Sequence, residues 1–266
     1  MIEARKALLD VLEALGKHRD SAVLIGAQAL YIHTTEFKSP VAAFTQDADL
    51  AFNVQTISTS PSIEIIMRGA GFELGEDGNP GRWFSQTNVP VDIMIPKKLA
   101  GKGSRSAEFP NHGTRTARSA EGIEGCLVDH SIRVIGSDDP GDARSFEIFV
   151  AGPSAILIAK SFKIYERLEA GRTLKDKDSH DVYRLLSAVN MEVLTAGLAK
   201  LLTDPLSEEV THRGLQYIQE LFADGASAPG SESAGRAEEN IGSPETVAQS
   251  VAALAEELLS GMREKL

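Results

Sequence analysis

The chain has little cysteine, a deficit of positive charge and no long apolar run. Its single cysteine, Cys126, excludes an internal disulfide framework and favours a reducing compartment. Lys and Arg number 27 against 38 Asp and Glu, so the formal net charge of −11 argues against a protein coated in positive charge for nucleic-acid binding. No apolar run reaches the roughly 18 residues of a membrane span, and no basic segment leads into an apolar leader. These absences predict a cytoplasmic protein that does not span a membrane.

What is present is typical of a globular chain. Hydrophobic residues make up 42% and charged residues 24% of the 266 positions. A chain of this length can form one large domain or two smaller ones, each with a real core. The composition therefore leaves the function to individual motifs.

Asp47 and Asp49 stand one residue apart within an apolar segment, residues 44–52. Side chains alternate faces along a strand, so the two carboxylates are expected to project from the same face. Two adjacent like charges on an apolar strand are costly unless a cation neutralises them. Mg²⁺ commonly takes one or two carboxylates together with substrate phosphates. The pair therefore predicts a magnesium site, although an exposed edge strand with solvated acids would have the same pattern.

Asp92 supplies a third carboxylate within a second apolar segment, residues 89–96. If this strand pairs beside the strand of Asp47 and Asp49, three carboxylates meet on one patch. Such a patch suits a two-metal site for phosphoryl or nucleotidyl transfer. Asp92 is then expected to complete the metal site and to act as the base on an acceptor hydroxyl.

Gly26 and Ala27 form a small-residue turn between a predicted strand and a predicted helix. Small residues allow a ligand to approach the backbone closely, and the first N–H groups of a helix attract anions. The turn is therefore a candidate site for a triphosphate, although many tight turns look the same.

The order of patterns predicts an α+β fold. The first half reads as α/β with a mixed sheet, and helices follow Pro153. We expect a core over 1–150, a helical region over 151–223, a flexible linker over 224–243 and a C-terminal helix over 244–266. The linker is expected because its composition is dominated by Gly, Ala, Ser and Pro.

Five motifs in sequence order resemble the DNA polymerase β-like nucleotidyltransferase superfamily, and most closely the AbiEii-type nucleotidyltransferase toxins. They are the strand–glycine–helix segment 24–30, the Asp-x-Asp strand, the strand of Asp92, the segment 154–160 ending in Lys160, and Lys177-Asp178-Ser-His-Asp181. The resemblance covers roughly residues 22–186. It implies a nucleotidyltransferase-like mixed sheet core, NTP as substrate and two Mg²⁺ ions as cofactors.

The resemblance also implies roles and partners. Lys160 and Asp178 inherit nucleotide-binding and catalytic roles, and Lys163 lies on the same predicted helix. The acceptor would be tRNA or a protein, and the partner an antitoxin protein. Two features depart from the family: Ala27 replaces its usual Gly or Ser, and the basic loop 97–118 has no counterpart.

Helical spacing supports Lys160 independently. Lys160, Lys163 and Arg167 are spaced i, i+3 and i+7, which places them on one face of a helix. That cationic face could contact nucleotide phosphates, or it could simply be solvated. Two other functions remain open: a small-molecule, antibiotic-type nucleotidyltransferase, and a catalytically silent member that binds nucleotide or a partner.

Overall fold

The part of the chain that the computed structural model describes, residues 2–76, 78–102 and 105–264, contains one mixed sheet of eight strands and nine α-helices. The predicted α+β fold with a mixed sheet is confirmed. Residue 1 of the predicted core, residues 103–104 of the basic loop and residues 265–266 of the predicted last helix lie outside the described residues. The chain divides into two compact units.

The first unit comprises the residues up to Ala29 together with Phe44–Ala151. Its helices are α1 (Ile2–Leu15), the beginning of α2 (Gly26–His33) and α3 (Ile63–Gly69). Its strands are β1 (Ala22–Ile25), β2 (Ala48–Phe52), β3 (Glu73–Leu74), β4 (Arg82–Phe84), β5 (Pro90–Pro96), β6 (Arg118–Ala120), β7 (His130–Gly136) and β8 (Ser145–Ala151). Short 3-10 turns cover Gly16–Ser21, Lys97–Leu99 and Glu124–Leu127.

The strands are ordered β3-β4-β5-β2-β1-β8-β7, and β6 also pairs with β5. β2 runs parallel to β5 and antiparallel to β1, and β1 runs parallel to β8. All four residues of β1 are buried, as expected for a central strand covered on both faces. The two acidic strands of the sequence, β2 and β5, are therefore neighbours in the middle of the sheet.

Two local predictions need correction. Ser60 followed by Pro61 is a typical helix start and predicts a helix from Ser60, but α3 begins at Ile63, because Ser62 is the N-cap and its hydroxyl accepts from the N–H of Ile65 at 3.2 Å. The long loop expected after β5 contains β6, which pairs in parallel with the end of β5. A three-residue strand is too short to produce a periodic pattern in the sequence.

The second unit comprises Leu30–Ala43 together with the residues from Gly152 onward. Its helices are α4 (Pro153–Glu169), α5 (Asp176–Ala188), α6 (Met191–Thr203), α7 (Glu208–Ile218), α8 (Pro229–Arg236) and α9 (Pro244–Arg263), and a π-helical turn, Gln219–Ala223, continues α7. α4 packs against α5, α6 and α7, while α5 also packs against α8 and α9. Apolar side chains of α4, such as Ile158 and Phe162, are buried in this unit.

The segment predicted as a flexible linker, 224–243, is instead partly helical, because it contains α8. Gly230 and Gly235 are buried, and a Cβ at either position would lie within 2.7 Å of the carbonyl oxygen of Leu221 or Pro244. The small residues therefore serve close packing. Composition alone does not separate this use from flexibility.

The observed division also differs from the predicted boundaries. Leu30–Ala43 lies within the first predicted domain but groups with the second unit. The guanidinium of Arg184 on α5 donates to the carbonyl of Val41 at 2.7 Å, which ties this segment to the helices. No single helix among the described residues is both long and apolar enough to cross a membrane, although α5 and α6 together pass that test of length and composition with a bend of 112° between them.

Candidate active site

One row of charged side chains crosses the sheet of the first unit. The parallel register of β2 and β5 places Asp49 opposite Asp92, and the antiparallel register of β4 and β5 places Arg82 opposite Asp92. Residues directly opposite each other on paired strands project from the same face. The two carboxylates expected to meet are thus on adjacent strands, which lie about 4.8 Å apart in a sheet.

Gly26 lies against the carboxylate of Asp49. Its φ is +69°, and a Cβ placed there would lie 2.0 Å from Oδ2 of Asp49. Glycine is required on both grounds, because other residues rarely adopt this φ and any side chain would displace the carboxylate. The N-terminus of α2 thereby adjoins Asp49, and Ala27, the next residue, is buried.

Asp47 directly precedes β2 and is half-buried. Its carboxylate accepts a hydrogen bond from the hydroxyl of Thr45. Its carbonyl accepts one from Nε2 of Gln28 at 3.0 Å. Gln28 is buried and also accepts from Nε of Arg5 at 2.9 Å, so its amide is fixed. Gln28 was missed by the sequence analysis, although a polar residue in the first turn after an apolar strand is a usable signal.

Asp92 is buried and faces two arginines. Nη2 of Arg118 lies 3.5 Å from Oδ2 of Asp92, and Nε of Arg82 lies 3.9 Å from Oδ1. Both arginine side chains stay partly exposed, at 42% and 38%. Both arginines lie along the same edge of β5, where β4 pairs with β5 up to Asp92 and β6 pairs with it from Met94 onward. Arg118 belongs to the basic loop noted in the sequence, whereas Arg82 was missed.

The described residues contain no group of three His, Cys, Asp or Glu side chains that could hold a metal ion by itself. Mg²⁺ usually needs fewer, because one or two carboxylates suffice when water and substrate phosphates complete its shell. The carboxylates of Asp47 and Asp49 are donors of this kind. The donor set therefore fits a magnesium ion that arrives with the nucleotide, and it does not fit a preformed three-carboxylate centre.

Lys160, on α4 of the second unit, is buried rather than on a solvated face. Its Nζ donates to Oδ1 of Asp178 at 2.8 Å and to Oδ2 of Asp181 at 2.7 Å. The cationic face that the spacing predicts is therefore not exposed at Lys160, because α5 covers that part of α4. Lys163, one turn further along, is exposed and lies 3.1 Å from the same oxygen of Asp178.

The charges of this cluster stabilise one another. Burial alone would lower the pKa of Lys160, but the charges of Asp181 and Asp178 outweigh it and raise that pKa. Burial alone would raise the pKa of Asp178, but Lys160 and Lys163 lower it. The pKa of Asp181 is likewise lowered, against its burial, by Lys160 and Lys177. All these groups are thus held in their charged forms.

Two further residues behave as packed side chains. Cys126 is buried, and its burial, followed by the charges of Asp129 and Glu124, raises the pKa of the thiol. Trp83 is fully buried, and its Nε1 donates to the carbonyl of Thr116 at 3.0 Å. Both are therefore core residues.

Two carboxylates on adjacent strands beside a glycine turn are compatible with chemistry on phosphate esters. The model of a family described as Nucleotidyltransferase matches residues 3–205, which is most of the chain. The chain belongs to this nucleotidyltransferase family. It is thus an enzyme that transfers a nucleoside monophosphate, with an NTP as its substrate.

Other comparisons add little. A solved structure of a candidate nucleotidyltransferase from H. pylori is 13% identical and covers 98% of this chain and 95% of that chain, with a TM-score of 0.29. That TM-score is too low for the match to carry an argument. No curated protein matches the chain. The narrower resemblance to AbiEii-type toxins is not confirmed by these comparisons and stays a prediction.

Proposed function

We propose that the protein transfers a nucleoside monophosphate from an NTP to an acceptor hydroxyl in a magnesium-dependent reaction. The observation that carries the proposal is the register of β2 and β5, which pairs Asp49 with Asp92 beside the glycine turn. Asp47 and Asp49 would hold magnesium, and Asp92 would complete the active site as the base on the acceptor hydroxyl. Bound magnesium would supply Lewis-acid stabilisation of the charge that develops on the phosphate oxygens.

The groups of the chain divide the remaining work. The acceptor oxygen forms a bond to the α-phosphorus, while the bond from that phosphorus to the oxygen bridging to the β-phosphorus breaks. Pyrophosphate leaves with the electron pair of that bond. The proton of the acceptor hydroxyl passes to the carboxylate of Asp92 and then to water. Gly26 and Ala27 leave room for the triphosphate, and the N-terminal N–H groups of α2 face its negative charge.

Fewer observations support a role in this reaction for the lysine–aspartate cluster, which consists of Lys160, Lys163, Asp178 and Asp181. Lys160 is bonded to two carboxylates and is almost fully buried, which favours a positioning role within its own unit. Asp178 shares one oxygen between Lys160 and the exposed Lys163. The roles that the resemblance gives to Lys160 and Asp178, and the nucleotide contact that the helical spacing predicts for Lys163, stay predictions.

The acceptor belongs to the proposal as well. The resemblance to AbiEii-type toxins favours tRNA or a protein as the acceptor, and an antitoxin protein as the partner. The alternative is a small cationic acceptor of the antibiotic type, which the net charge of −11 would attract.

The test is transfer of label from each α-labelled NTP to total tRNA or to a small acceptor, in Mg²⁺. Asp49→Asn and Asp47→Asn are expected to reduce transfer on the order of a thousandfold, because Lewis-acid stabilisation contributes several kcal/mol. Glu147→Gln is the matched control, since it removes one exposed carboxylate from β8 of the same sheet. Transfer that survives in Asp49→Asn at the rate of the control would overturn the proposed site.

A further inference from the structure

The charged row on the sheet has two different ends. Across the strands, the order is β1, β2, β5 and then β4, with β6 beside β5. Gly26, which follows β1, adjoins Asp49 at one end. Arg82 and Arg118 face Asp92 at the other end. The carboxylates therefore separate a backbone turn on one side from a pair of guanidinium groups on the other.

We infer that Arg82 and Arg118 bind a phosphate group of the acceptor, next to the hydroxyl that attacks. This inference rests on the proposed function and narrows its acceptor to a molecule that carries phosphate beside the reacting hydroxyl. The two arginines are thus residues that determine acceptor specificity.

The in-line geometry of the transfer assigns the arginines to the acceptor. In such a displacement, the attacking oxygen and the leaving oxygen lie on opposite sides of the phosphorus. If the triphosphate lies at Gly26, pyrophosphate leaves on the side of Asp49 and α2. The acceptor then enters from the side of Asp92, where Arg82 and Arg118 lie.

The contacts of the arginines leave them able to bind a further anion. Charge-assisted hydrogen bonds between a guanidinium and a carboxylate are about 2.8 Å long. The contacts to Asp92 are longer, at 3.5 Å for Arg118 and 3.9 Å for Arg82. Nε of Arg118 is buried and has no hydrogen-bond partner among the described residues. Two guanidinium groups share one carboxylate, so this end of the row has an excess of positive charge that suits a phosphate.

The backbone around the arginines is closely built. A Cβ at Gly81, whose φ is +74°, would lie 2.3 Å from the carbonyl oxygen of Ile93 and 2.5 Å from the backbone nitrogen of Arg118. Gly81 therefore lets β4, β5 and β6 meet at one point. The N–H of Ser119 also donates to the carbonyl of Arg105 at 2.8 Å, which fixes the chain beside Arg118. The guanidinium groups thus extend from a fixed frame.

The same charges disfavour the alternative acceptor. A polycationic antibiotic would have to place positive charge beside two arginines, and like charges at short range repel. The overall charge of −11 attracts such a molecule to the protein, but the local charge at this end of the row has the opposite sign. The structure therefore favours an anionic acceptor over a cationic one.

The test measures acceptor binding separately from catalysis, with the full chain in Mg²⁺ and without NTP. One arm follows the fluorescence anisotropy of a labelled short oligoribonucleotide with a free 3′ hydroxyl. The other arm titrates ribose 5-phosphate by calorimetry. The variants are the double variant Arg82→Gln with Arg118→Gln, the double variant Arg82→Lys with Arg118→Lys, and Arg133→Gln on the opposite edge strand β7 as control. The lysine variant keeps the charge beside buried Asp92 in case the glutamine variant does not fold.

We expect the wild type to bind at least one probe, and the glutamine variant to bind it about tenfold or more weakly, because hydrogen bonds between charged groups are the strong ones. The lysine variant should bind the probe with intermediate affinity, since it loses the planar guanidinium that can donate two parallel hydrogen bonds but keeps the positive charge. Arg133→Gln should bind the probe with a Kd within about twofold of the wild type, and the arginine variants should bind NTP with a Kd within about twofold of the wild type, as expected of groups outside the acceptor contact. Binding of the oligoribonucleotide alone indicates a polynucleotide acceptor, and binding of the sugar phosphate alone indicates a small phosphorylated one.

Four results would overturn the inference: binding of neither probe, undiminished probe binding by the glutamine variant, equal losses in Arg133→Gln, or a tenfold loss of NTP affinity in the arginine variants. Failure of the proposed function has a different signature, because it shows as transfer that survives in Asp49→Asn. That outcome would leave the binding measurements as they stand.

Discussion

The two units each contain a charged cluster, and the clusters differ in burial and in geometry. In the second unit, Lys160 binds Asp178 and Asp181 at 2.8 and 2.7 Å, with all three side chains buried. In the first unit, Asp92 is buried, but Arg82 and Arg118 approach it only to 3.9 and 3.5 Å and remain partly exposed. The Lys160 cluster of the second unit is therefore closed, and the Asp92 cluster of the first unit is open on one side.

The difference separates stability from function. A buried ammonium between two buried carboxylates has no room for a ligand, and removing one partner leaves uncompensated charge in the interior. A carboxylate with loosely held, partly exposed cations can exchange those cations for substrate groups at small cost. Both clusters contain aspartates that the sequence marks as functional, yet we expect the closed cluster to decide whether its unit folds and the open cluster to take part in the reaction.

The largest effect is expected from Lys160→Met. Removing the ammonium should lower the free energy of unfolding by about 3–5 kcal/mol, because Asp178 and Asp181 would stay buried with only two partly exposed lysines, Lys163 and Lys177, to offset their charge. Arg118→Met, which removes a cation from Asp92, should cost about 1 kcal/mol, as expected of a partly exposed pair. Urea unfolding of both variants measures the two values. Equal losses would abolish the distinction between the clusters.

Acid should narrow the gap between wild type and Lys160→Met. The pKa values of Asp178 and Asp181 are lowered in the folded protein, so their contribution is present above the unfolded value of about 3.9 and is lost as pH falls towards the folded values. That loss amounts to at most about 1.4 kcal/mol per pH unit for each proton. In Lys160→Met, protonation instead relieves buried charge. Unfolding curves at pH 3, 4, 5 and 7 should show the gap shrinking below pH 4, and a gap that is constant or grows in acid would contradict the prediction.

Much of the open cluster could be predicted from the sequence. Asp47, Asp49 and Asp92 lie in apolar segments, and such segments form central strands whose faces follow a period of two. The carboxylates were predicted to meet only if β2 pairs with β5, and the observed register places Asp49 opposite Asp92. Gly26 was predicted from its place between strand and helix, although its contact with Asp49 was not.

The remaining features depend on contacts between distant segments. The spacing of Lys160 and Lys163 shows that they share a face of α4, but it does not show that α5 covers the first and leaves the second exposed. Arg82 begins a three-residue strand, so no pattern marks it before its pairing with β5 is known. Helix α8 consists largely of small residues, whose packing depends on partners elsewhere in the chain.

Gly26→Ala tests whether the contact between Gly26 and Asp49 matters for the open cluster. The added Cβ would lie 2.0 Å from Oδ2 of Asp49 and must displace the carboxylate. A displacement of about 1 Å in an active site reduces rates on the order of 100-fold. Gly16→Ala is the matched control, because its φ of +51° carries a similar backbone cost while nothing lies within 4 Å of the added Cβ. Both variants should lose about 1–2 kcal/mol of unfolding free energy. Transfer assays that show equal activity in the two variants would indicate that the contact with Asp49 does not matter.

The smallest effect is expected from Lys163→Ala, which provides the closest internal test of burial. Lys163 and Lys160 bind the same oxygen of Asp178, at 3.1 and 2.8 Å, but the Lys163 side chain is 56% exposed and that of Lys160 only 6%. Water screens the exposed pair, so Lys163→Ala should lower the free energy of unfolding by less than about 1 kcal/mol. Added salt at 1 M should remove most of that difference while leaving the effect of Lys160→Met nearly intact, since screening acts on exposed charges far more than on buried ones. A salt-independent loss in Lys163→Ala as large as that in Lys160→Met would mean that the shared carboxylate, and not the burial of the lysine, determines the energy of the cluster.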